Sequence, residues 1–307
     1  MTCYFGVDGG GTSARIRIVN EEGTALSQVS GGSTNLFSVP EETVFSNLRT
    51  LITTGCDEAQ IPLSALRGGC LGSAGLNRPA ERALMQAFFH KLLGESCPVY
   101  LCNDGEILLV GGLKAYSGYC LIGGTGSLAL ARSEDGILIR AGGLGYMLGD
   151  EGSACWIGWQ AVCRTLRSLE GRDLQTGMLP ALLSYFSLNG PEDFVALMHH
   201  RFSKPQVGGA APLVAEYAKK GDPLAVDLCQ KAALELFQLC DSVIRRMPLD
   251  NGRLAFSGGV LEHNELVRDA LLAHLHASYP QISVVLTPGA AVDGACMLAM
   301  RTSPAPL

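Results

Sequence analysis

A lone carboxylate and three glycines stand together near the start of the sequence, in Asp8-Gly9-Gly10-Gly11-Thr12. An apolar run precedes this stretch and an alternating run follows it, so the pattern predicts a β-hairpin with a glycine turn. Without Cβ atoms, the backbone N–H groups of Gly10 and Gly11 can approach an anion closely, and Thr12 adds a hydroxyl. Asp8 cannot bind phosphate itself, but its carboxylate can hold a hydrated Mg²⁺ that does. For this stretch alone, a plain tight hairpin is an open alternative.

A second glycine turn follows another predicted strand, at Gly123-Gly124-Thr125-Gly126-Ser127. Two such turns at equivalent places suggest a pair of phosphate cradles, with Thr125 and Gly126 in the second one. The pair Gly258-Gly259, after a further strand, would let a nucleotide approach the backbone closely. The pair Gly208-Gly209 is a weaker candidate for the other side of the nucleotide, because a turn between two helices explains it equally well.

Two further carboxylates are candidates for work on a substrate hydroxyl. Phosphoryl transfer needs positioned charge and a group that accepts the proton of the attacking hydroxyl. Asp104 ends a predicted strand and is the candidate base, and its alternative role is to cap a helix that begins at Gly105. Asp150 precedes a predicted helix and could hold two hydroxyls, whereas capping is the simpler account of Asp150 and Ser153.

The elements that would position these residues occur twice. Strand, turn and helix signals give the order β-β-β-α-β-α-β-α over residues 1–116, and the order recurs over residues 117–307 around a mostly helical insertion at about 171–248. The duplication predicts an α/β fold of two halves, each a mixed sheet covered by helices, around a central cleft. The last helix could pack back on the first half. The predicted elements include strands at Gly118–Gly123 and Gly136–Arg140 and helices at Pro79–Leu93 and Gly105–Tyr116.

The composition argues against several classes of protein. The chain has 307 residues, 47% hydrophobic and 17% charged, which suits a globular protein of one large or two ordinary domains. A net charge of −6 argues against nucleic acid or an anionic membrane as partner, and no apolar stretch is long enough to span a bilayer. The eleven cysteines include no C-x-x-C pair. This pattern disfavours zinc, iron–sulfur and thioredoxin sites and is typical of the reducing cytoplasm.

Taken as a set, the motifs resemble those of a known family. They are Asp8-Gly9-Gly10-Gly11-Thr12, Ser33-Thr34-Asn35, Asn103-Asp104, Gly124-Thr125-Gly126-Ser127, Gly142-Gly143-Leu144-Gly145, Gly149-Asp150-Glu151-Gly152-Ser153, Gly221-Asp222-Pro223-Leu224 and Ser257-Gly258-Gly259. Each motif is weak alone, but together they run nearly from end to end. The chain resembles the actin-like ATPase superfamily and, within it, the N-acetylglucosamine kinase branch of the BadF/BadG/BcrA/BcrD ATPase-like family.

That resemblance implies two ribonuclease-H-like halves and a kinase that uses ATP and Mg²⁺ to phosphorylate the 6-hydroxyl of an amino sugar. N-acetylglucosamine is the first candidate, and N-acetylmuramic acid and glucosamine are the alternatives. The resemblance implies ATP contacts at Thr12, Thr125, Gly209 and Gly259. It implies an amino-sugar pocket at Asn35, Ser73, Asp104, Ser127, Leu128, Gly143, Leu144, Gly145 and Asp150. Leu128 and Leu144 stand where the family usually has a polar and an aromatic residue, which leaves the choice of sugar open.

Two rival functions come from other classes of protein. The family also contains ATPases that activate 2-hydroxyacyl-CoA dehydratases through an iron–sulfur cluster held between subunits. The lack of paired cysteines counts against that role. A non-catalytic sugar sensor would keep the cleft but would need an output module. By analogy with the fold alone, the helical insertion could form a homodimer contact.

Overall fold

A computed structural model describes residues 1–73, 75–76, 78–250, 252–286 and 289–302. These residues form two compact units. Unit 1 takes the described residues within Met1–Ser117, Glu134–Gly136 and Pro288–Leu307, and unit 2 takes those within Gly118–Ser133 and Ile137–Thr287. Among the described residues, no helix has the length and hydrophobicity that crossing a bilayer demands.

Unit 1 is built on a mixed sheet of five strands. Its elements, numbered in chain order, are β1 (Cys3–Gly9), β2 (Ser13–Asn20), β3 (Ala25–Gly32), α1 (Glu41–Glu58), β4 (Leu66–Ser73), α2 (Pro79–Leu93), β5 (Val99–Cys102), α3 (Asp104–Leu113) and the C-terminal helix α12 (Ala291–Thr302). The strand order is β3-β2-β1-β4-β5. Strands β1, β4 and β5 run parallel, while β2 is antiparallel to both β1 and β3. The carboxyl ends of four strands, β1, β3, β4 and β5, therefore meet at one edge of the sheet.

Helices cover the sheet of unit 1 through its alternating side chains. In β2, Ile16 and Ile18 are buried, whereas Arg15 is exposed. This is the period-2 pattern that a half-buried strand requires. The two isoleucines belong to the same hydrophobic core as buried residues of α1. Helices α3 and α12 lie so close together that a Cβ on Gly294 would collide with the carbonyl oxygen of Ile107. Glycine is needed there for close helix packing.

Unit 2 repeats the arrangement with extra helices. Its elements are β6 (Gly118–Gly123), β7 (Ser127–Arg132), β8 (Leu138–Gly142), α4 (Ala154–Leu169), α5 (Leu179–Phe186), α6 (Asp193–His200), α7 (Lys204–Gly208), α8 (Ala211–Lys219), α9 (Pro223–Arg246), β9 (Arg253–Ser257), α10 (Gly259–His263), α11 (Glu265–Ser278) and β10 (Ser283–Val285). The strand order is β10-β9-β6-β7-β8. Read in reverse, as β8-β7-β6-β9-β10, it matches the order β3-β2-β1-β4-β5 of unit 1 strand for strand. The predicted duplicated α/β fold is confirmed.

Two predicted boundaries are wrong for local reasons. The helix predicted at Gly105–Tyr116 ends at Leu113, because Lys114 adopts a left-handed conformation with φ 49°. The strand predicted at Gly136–Arg140 lies at Leu138–Gly142 instead. Gly136 has φ 84° and so belongs to the turn before the strand.

Candidate functional site

The parallel strands of unit 1 bring three predicted site residues to one edge of the sheet. Asp8 of β1 lies opposite Gly72 of β4, and Gly72 lies opposite Cys102, the last residue of β5. Ser73 is the last residue of β4, and Asp104 begins α3 just beyond β5. Asp8, Ser73 and Asp104 therefore gather at the edge where the carboxyl ends of the strands meet.

The electrostatics of this edge favour a proton acceptor and a cation. Burial raises the pKa of both Asp8 and Asp104. The N–H of Gly105, which donates to Asp104 Oδ1 at 3.0 Å, lowers the pKa of Asp104, whereas the negative charge of Asp8 raises it. Because its pKa is raised, Asp104 is a stronger base than an ordinary aspartate. Two neighbouring carboxylates are also the oxygen donors that a hydrated Mg²⁺ prefers, so the residues fit that ion.

Residues other than the candidate carboxylates Asp104 and Asp150 cap helices α3 and α4. Asn103 is the N-cap of α3, since its side chain accepts the N–H of Gly105 at 2.8 Å. The capping alternative for Asp104 is therefore wrong, although Asp104 Oδ1 also accepts the N–H of Gly105 at 3.0 Å. Ser153 caps α4 by accepting the N–H of Trp156 at 3.2 Å, as expected from the sequence.

The first glycine turn, between β1 and β2, uses part of its backbone internally. Gly10 donates its N–H to the carbonyl of Ser13 at 3.0 Å, and its own carbonyl accepts the hydroxyl of Ser33 at 3.0 Å. Gly10 therefore shapes the turn rather than offering a donor to an anion. Gly11 and Thr12 are exposed, and within the described residues their N–H groups have no partner. These two N–H groups are the donors that this turn offers to a ligand.

Two buried hydroxyls flank Gly9 and have no hydrogen-bond partner among the described residues, Thr34 Oγ1 and Ser73 Oγ. A Cβ on Gly9 would lie 2.5 Å from the Thr34 hydroxyl and 3.1 Å from the Ser73 side chain. Buried hydroxyls without partners are costly, so a polar ligand or water fits between them. Ser73 was a predicted site residue, and Asn35 follows Thr34 with its Oδ1 accepting the N–H of Phe37 at 2.8 Å. Thr34 was missed, although it lies inside the Ser-Thr-Asn motif of the sequence.

A pocket of about 570 Å³ in unit 2 gathers predicted nucleotide residues. Gly124 and Thr125 of the second glycine turn line it together with Gly209 and Gly259. This volume is typical of a small-molecule site. The remaining walls come from Ala154, Gly208, Ala211, Pro212, Ala215, Glu216, Lys219, Val260, His263 and Asn264. Sequence reasoning marks Gly208 and misses the other walls, because single residues on separate helices have no common spacing in the sequence.

The glycines around this pocket have different roles. A Cβ on Gly124 would meet nothing nearer than the Cα of Gly258 at 4.0 Å, and a Cβ on Gly259 nothing nearer than His263 at 3.8 Å. Both positions therefore leave open space at the pocket wall. Gly258 has φ 102°, and a Cβ there would lie 2.6 Å from the carbonyl group of Gly123. Gly258 therefore supports the wall by letting two backbone segments approach closely.

Asp150 is held behind the second glycine turn. Its Oδ1 accepts the N–H of Ser127 at 3.2 Å, and its Oδ2 lies 2.7 Å from the Lys204 ammonium. A Cβ on Gly126 would lie 2.7 Å from Asp150 Oδ1, so Gly126 faces this carboxylate. The hydroxyl of Ser127 donates to the carbonyl of Glu151 at 2.7 Å. The buried carboxylate of Asp150 thus forms an ion pair with the half-buried Lys204, a residue that no sequence pattern marks.

The other predicted sugar residues of unit 2 lie around Ser127. The carbonyl of Ser127 accepts the N–H of Gly143 at 2.9 Å. The side chain of Leu128 fills the space beside Gly143, where a Cβ would approach Leu128 Cδ1 to 2.9 Å. Leu144 and Gly145 continue this loop, with Leu144 exposed and Gly145 in open space at φ 85°. The structure thus brings Ser127, Leu128 and Gly143 together and leaves Leu144 and Gly145 facing outward.

The cysteines form no disulfide. All eleven are free, and ten of them are buried. Within the described ranges, no group of three or more His, Cys, Asp or Glu side chains is arranged to hold a metal ion.

Comparison with known proteins places the whole chain beside sugar kinases. The sequence matches the BadF/BadG/BcrA/BcrD ATPase family over residues 5–299. The N-acetylmuramic acid/N-acetylglucosamine kinase of Clostridium acetobutylicum is 28% identical, covering 97% of this chain and 98% of that relative. The N-acetyl-D-glucosamine kinase of Dictyostelium discoideum is 27% identical with the same coverage of 97% and 98%. A crystal structure from Chromobacterium violaceum, provisionally assigned as an N-acetylglucosamine kinase, has a TM-score of 0.74 at 27% identity, covering 97% of this chain and 99% of that one.

Proposed function

We propose that this chain, which belongs to the BadF/BadG/BcrA/BcrD ATPase family, is an ATP-dependent kinase that transfers a phosphoryl group to the 6-hydroxyl of an amino sugar. The observation that carries the proposal is the pocket of unit 2, where Gly124, Thr125, Gly209 and Gly259 line about 570 Å³. The kinase names of two relatives that align over 97% of the chain support the amino sugar as acceptor. N-acetylglucosamine is the proposed sugar because both names contain it, and N-acetylmuramic acid and glucosamine are the alternatives.

The nucleotide would lie against backbone rather than against charged side chains. Gly124 and Gly259 present open backbone to the pocket, and Thr125 adds a hydroxyl. Backbone N–H groups can donate to phosphate oxygens where no Cβ intervenes. Asp8 would hold a hydrated Mg²⁺, which when bound supplies positive charge to the phosphates.

The acceptor hydroxyl would lose its proton to Asp104. Burial and the charge of Asp8 raise the pKa of this carboxylate, which makes it a better proton acceptor. The unpartnered hydroxyls of Thr34 and Ser73 and the side-chain amide of Asn35 would bind sugar hydroxyls at the same edge of unit 1. Polar groups that are buried without partners orient a ligand that satisfies them.

The test measures sugar-dependent ADP release by the purified chain over N-acetylglucosamine, N-acetylmuramic acid, glucosamine and glucose. We expect release with an amino sugar and a product that carries its phosphate on O6, located by NMR. Gly124→Ala and Gly259→Ala each place a methyl group at the pocket wall without a clash and should raise the KM for ATP. Gly177→Ala is the matched control, because a Cβ there meets nothing nearer than Tyr217 at 3.7 Å and lies outside the pocket. Absence of ADP release with every sugar would contradict the proposal.

A further inference from the structure

The ammonium group of Lys204 lies against the second glycine turn of unit 2. A Cβ on Gly126 would be 3.0 Å from Lys204 Nζ, and Nζ is 2.7 Å from Asp150 Oδ2. Asp150 is itself fixed by the N–H of Ser127. A positive charge is therefore anchored at the last glycine of the turn in which Gly124 and Thr125 line the pocket of unit 2.

Helix α7 links this lysine to the same pocket. The helix runs from Lys204 to Gly208, and Gly208 and the following Gly209 line the pocket. Helix α4 lies tightly against α7, because a Cβ on Gly158 would collide with the carbonyl oxygen of Val207. Close packing of this kind fixes the position of α7, and with it the start of the Lys204 side chain.

The ammonium group has capacity for a second partner. An ammonium has three N–H donors, and in the described chain Asp150 is the only polar partner of Lys204, whose side chain is 34% exposed. Lys219, which does line the pocket, already pairs with Glu265 at 3.2 Å. Without Lys204, the buried carboxylate of Asp150 would repel an anion that approached the turn.

We propose that Lys204 and the Gly126 turn form a subsite for the terminal phosphoryl group of the bound nucleotide. Lys204 donates to the oxygens of that group, while Asp150 holds the ammonium in place and is neutralised by it. The subsite rests on the proposed kinase function and adds a charged contact that glycine backbone alone does not supply. A fixed cation at this position stabilises charge on the phosphoryl group during transfer.

The test compares the affinities for ADP and for a non-hydrolysable ATP analogue, measured by calorimetry on wild type and variants. A hydrogen bond to a charged group is worth roughly tenfold to a hundredfold in affinity. Lys204→Met should weaken binding of the ATP analogue by that factor relative to ADP, which lacks the terminal phosphoryl group. Lys204→Arg should restore most of the preference, because it keeps the charge and the donors. Lys231→Met is the matched control, since it removes an ion pair with Asp227 at 2.8 Å that lies outside the pocket.

Equal loss of affinity for ADP and the analogue, or no loss for either, would overturn the subsite. An unchanged nucleotide preference with a raised KM for sugar would assign Lys204 to positioning Asp150 instead. Lys204→Gln provides a second neutral variant if Lys204→Met does not fold, as judged by thermal unfolding. Wild-type protein that binds no nucleotide would overturn the kinase proposal as well. If the wild type phosphorylates amino sugars and Lys204→Met keeps the wild-type preference for the ATP analogue over ADP, the subsite alone is overturned.

Discussion

Replacing Asp104 by Asn should remove catalysis and stabilise the fold at the same time. Asn keeps the shape of the side chain and an acceptor for the Gly105 N–H, which lies 3.0 Å from Asp104 Oδ1, but it cannot take up a proton. Loss of a general base lowers kcat by ~10²–10⁴-fold, or about 3–5 kcal/mol of transition-state stabilisation. The KM for sugar should change little, because the lost interaction is made mainly in the transition state.

Asp104→Asn should raise the stability of the fold although it removes catalysis, because Asp104 is buried. Burial raises the pKa of Asp104 above its value in the unfolded chain, so the charged carboxylate is costly in the folded state. The free energy of unfolding is then highest below the unfolded-state pKa and falls as pH rises through the folded-state pKa. At neutral pH the wild type bears this cost, whereas Asp104→Asn does not. The variant should unfold at a higher temperature, and its advantage should vanish in acid, where Asp104 is protonated.

Steady-state ADP release and thermal unfolding at neutral and acidic pH measure the two effects. Glu106→Gln is the matched control, because Glu106 is 4% exposed on the same helix and accepts the Tyr100 hydroxyl at 3.1 Å. Its kcat should stay near that of the wild type. A near-normal kcat for Asp104→Asn would refute the assignment of the base and make Glu106 the next candidate. A lower unfolding temperature at neutral pH would refute the argument from burial.

Two further variants test unit 2. Asp150→Asn removes the charge that holds Lys204, and Asn accepts the left-handed φ of 62° at this position. If Asp150 anchors Lys204 at the terminal phosphoryl group, calorimetry should show a smaller preference for the ATP analogue over ADP, whereas an unchanged preference with a raised KM for sugar would assign Asp150 to the sugar pocket alone. A defect confined to kcat would mean that Asp150 and Asp104 exchange roles. Arg164→Met breaks ion pairs with Asp173 at 2.6 Å and Asp227 at 2.5 Å and should cost about 3 kcal/mol of unfolding free energy. The Arg164 guanidinium holds the pKa of Asp173 well below its usual range, so this stabilisation is present at neutral pH and is lost as pH falls. Urea unfolding should show a weaker loss of stability on acidification in Arg164→Met, and an unchanged pH dependence would contradict the assignment.

The fold could be predicted because its signals are local. Helix α2 begins at Pro79 and is followed by Gly94 at φ 76°, and both residues mark helix ends in a sequence. In strand β2, buried residues alternate with exposed or half-buried ones from Ser13 to Ile18. The end of α3 could not be predicted, because Lys114 takes a left-handed conformation that lysine rarely adopts and no neighbouring residue marks the change.

The candidate site could be predicted only where it depends on strand ends and turns. Asp8 lies at the end of β1 and Asp104 follows β5, and parallel pairing brings the carboxyl ends of strands together. Lys204 reaches Asp150 from another part of the chain, through an ion pair that depends on how α7 packs. The unpartnered hydroxyl of Thr34 is likewise visible only once its surroundings are known. Contacts of this kind depend on tertiary packing, so the residues that make them follow no regular spacing in the sequence.

The first hairpins of the two duplicated halves differ at the residue that precedes their last paired position. Gly9 pairs with Ala14 and Gly123 pairs with Ser127, so Asp8 and Ile122 occupy equivalent positions in β1 and β6. The turn of unit 1 therefore has a carboxylate beside it, whereas the turn of unit 2 faces the ion pair of Asp150 and Lys204. A lone carboxylate favours a cation, and a carboxylate that an ammonium neutralises no longer repels an anion. If the proposed kinase function holds, a metal–nucleotide complex carries both kinds of charge, and the difference between Asp8 and Ile122 together with the placement of Lys204 would suit the two turns to different parts of it.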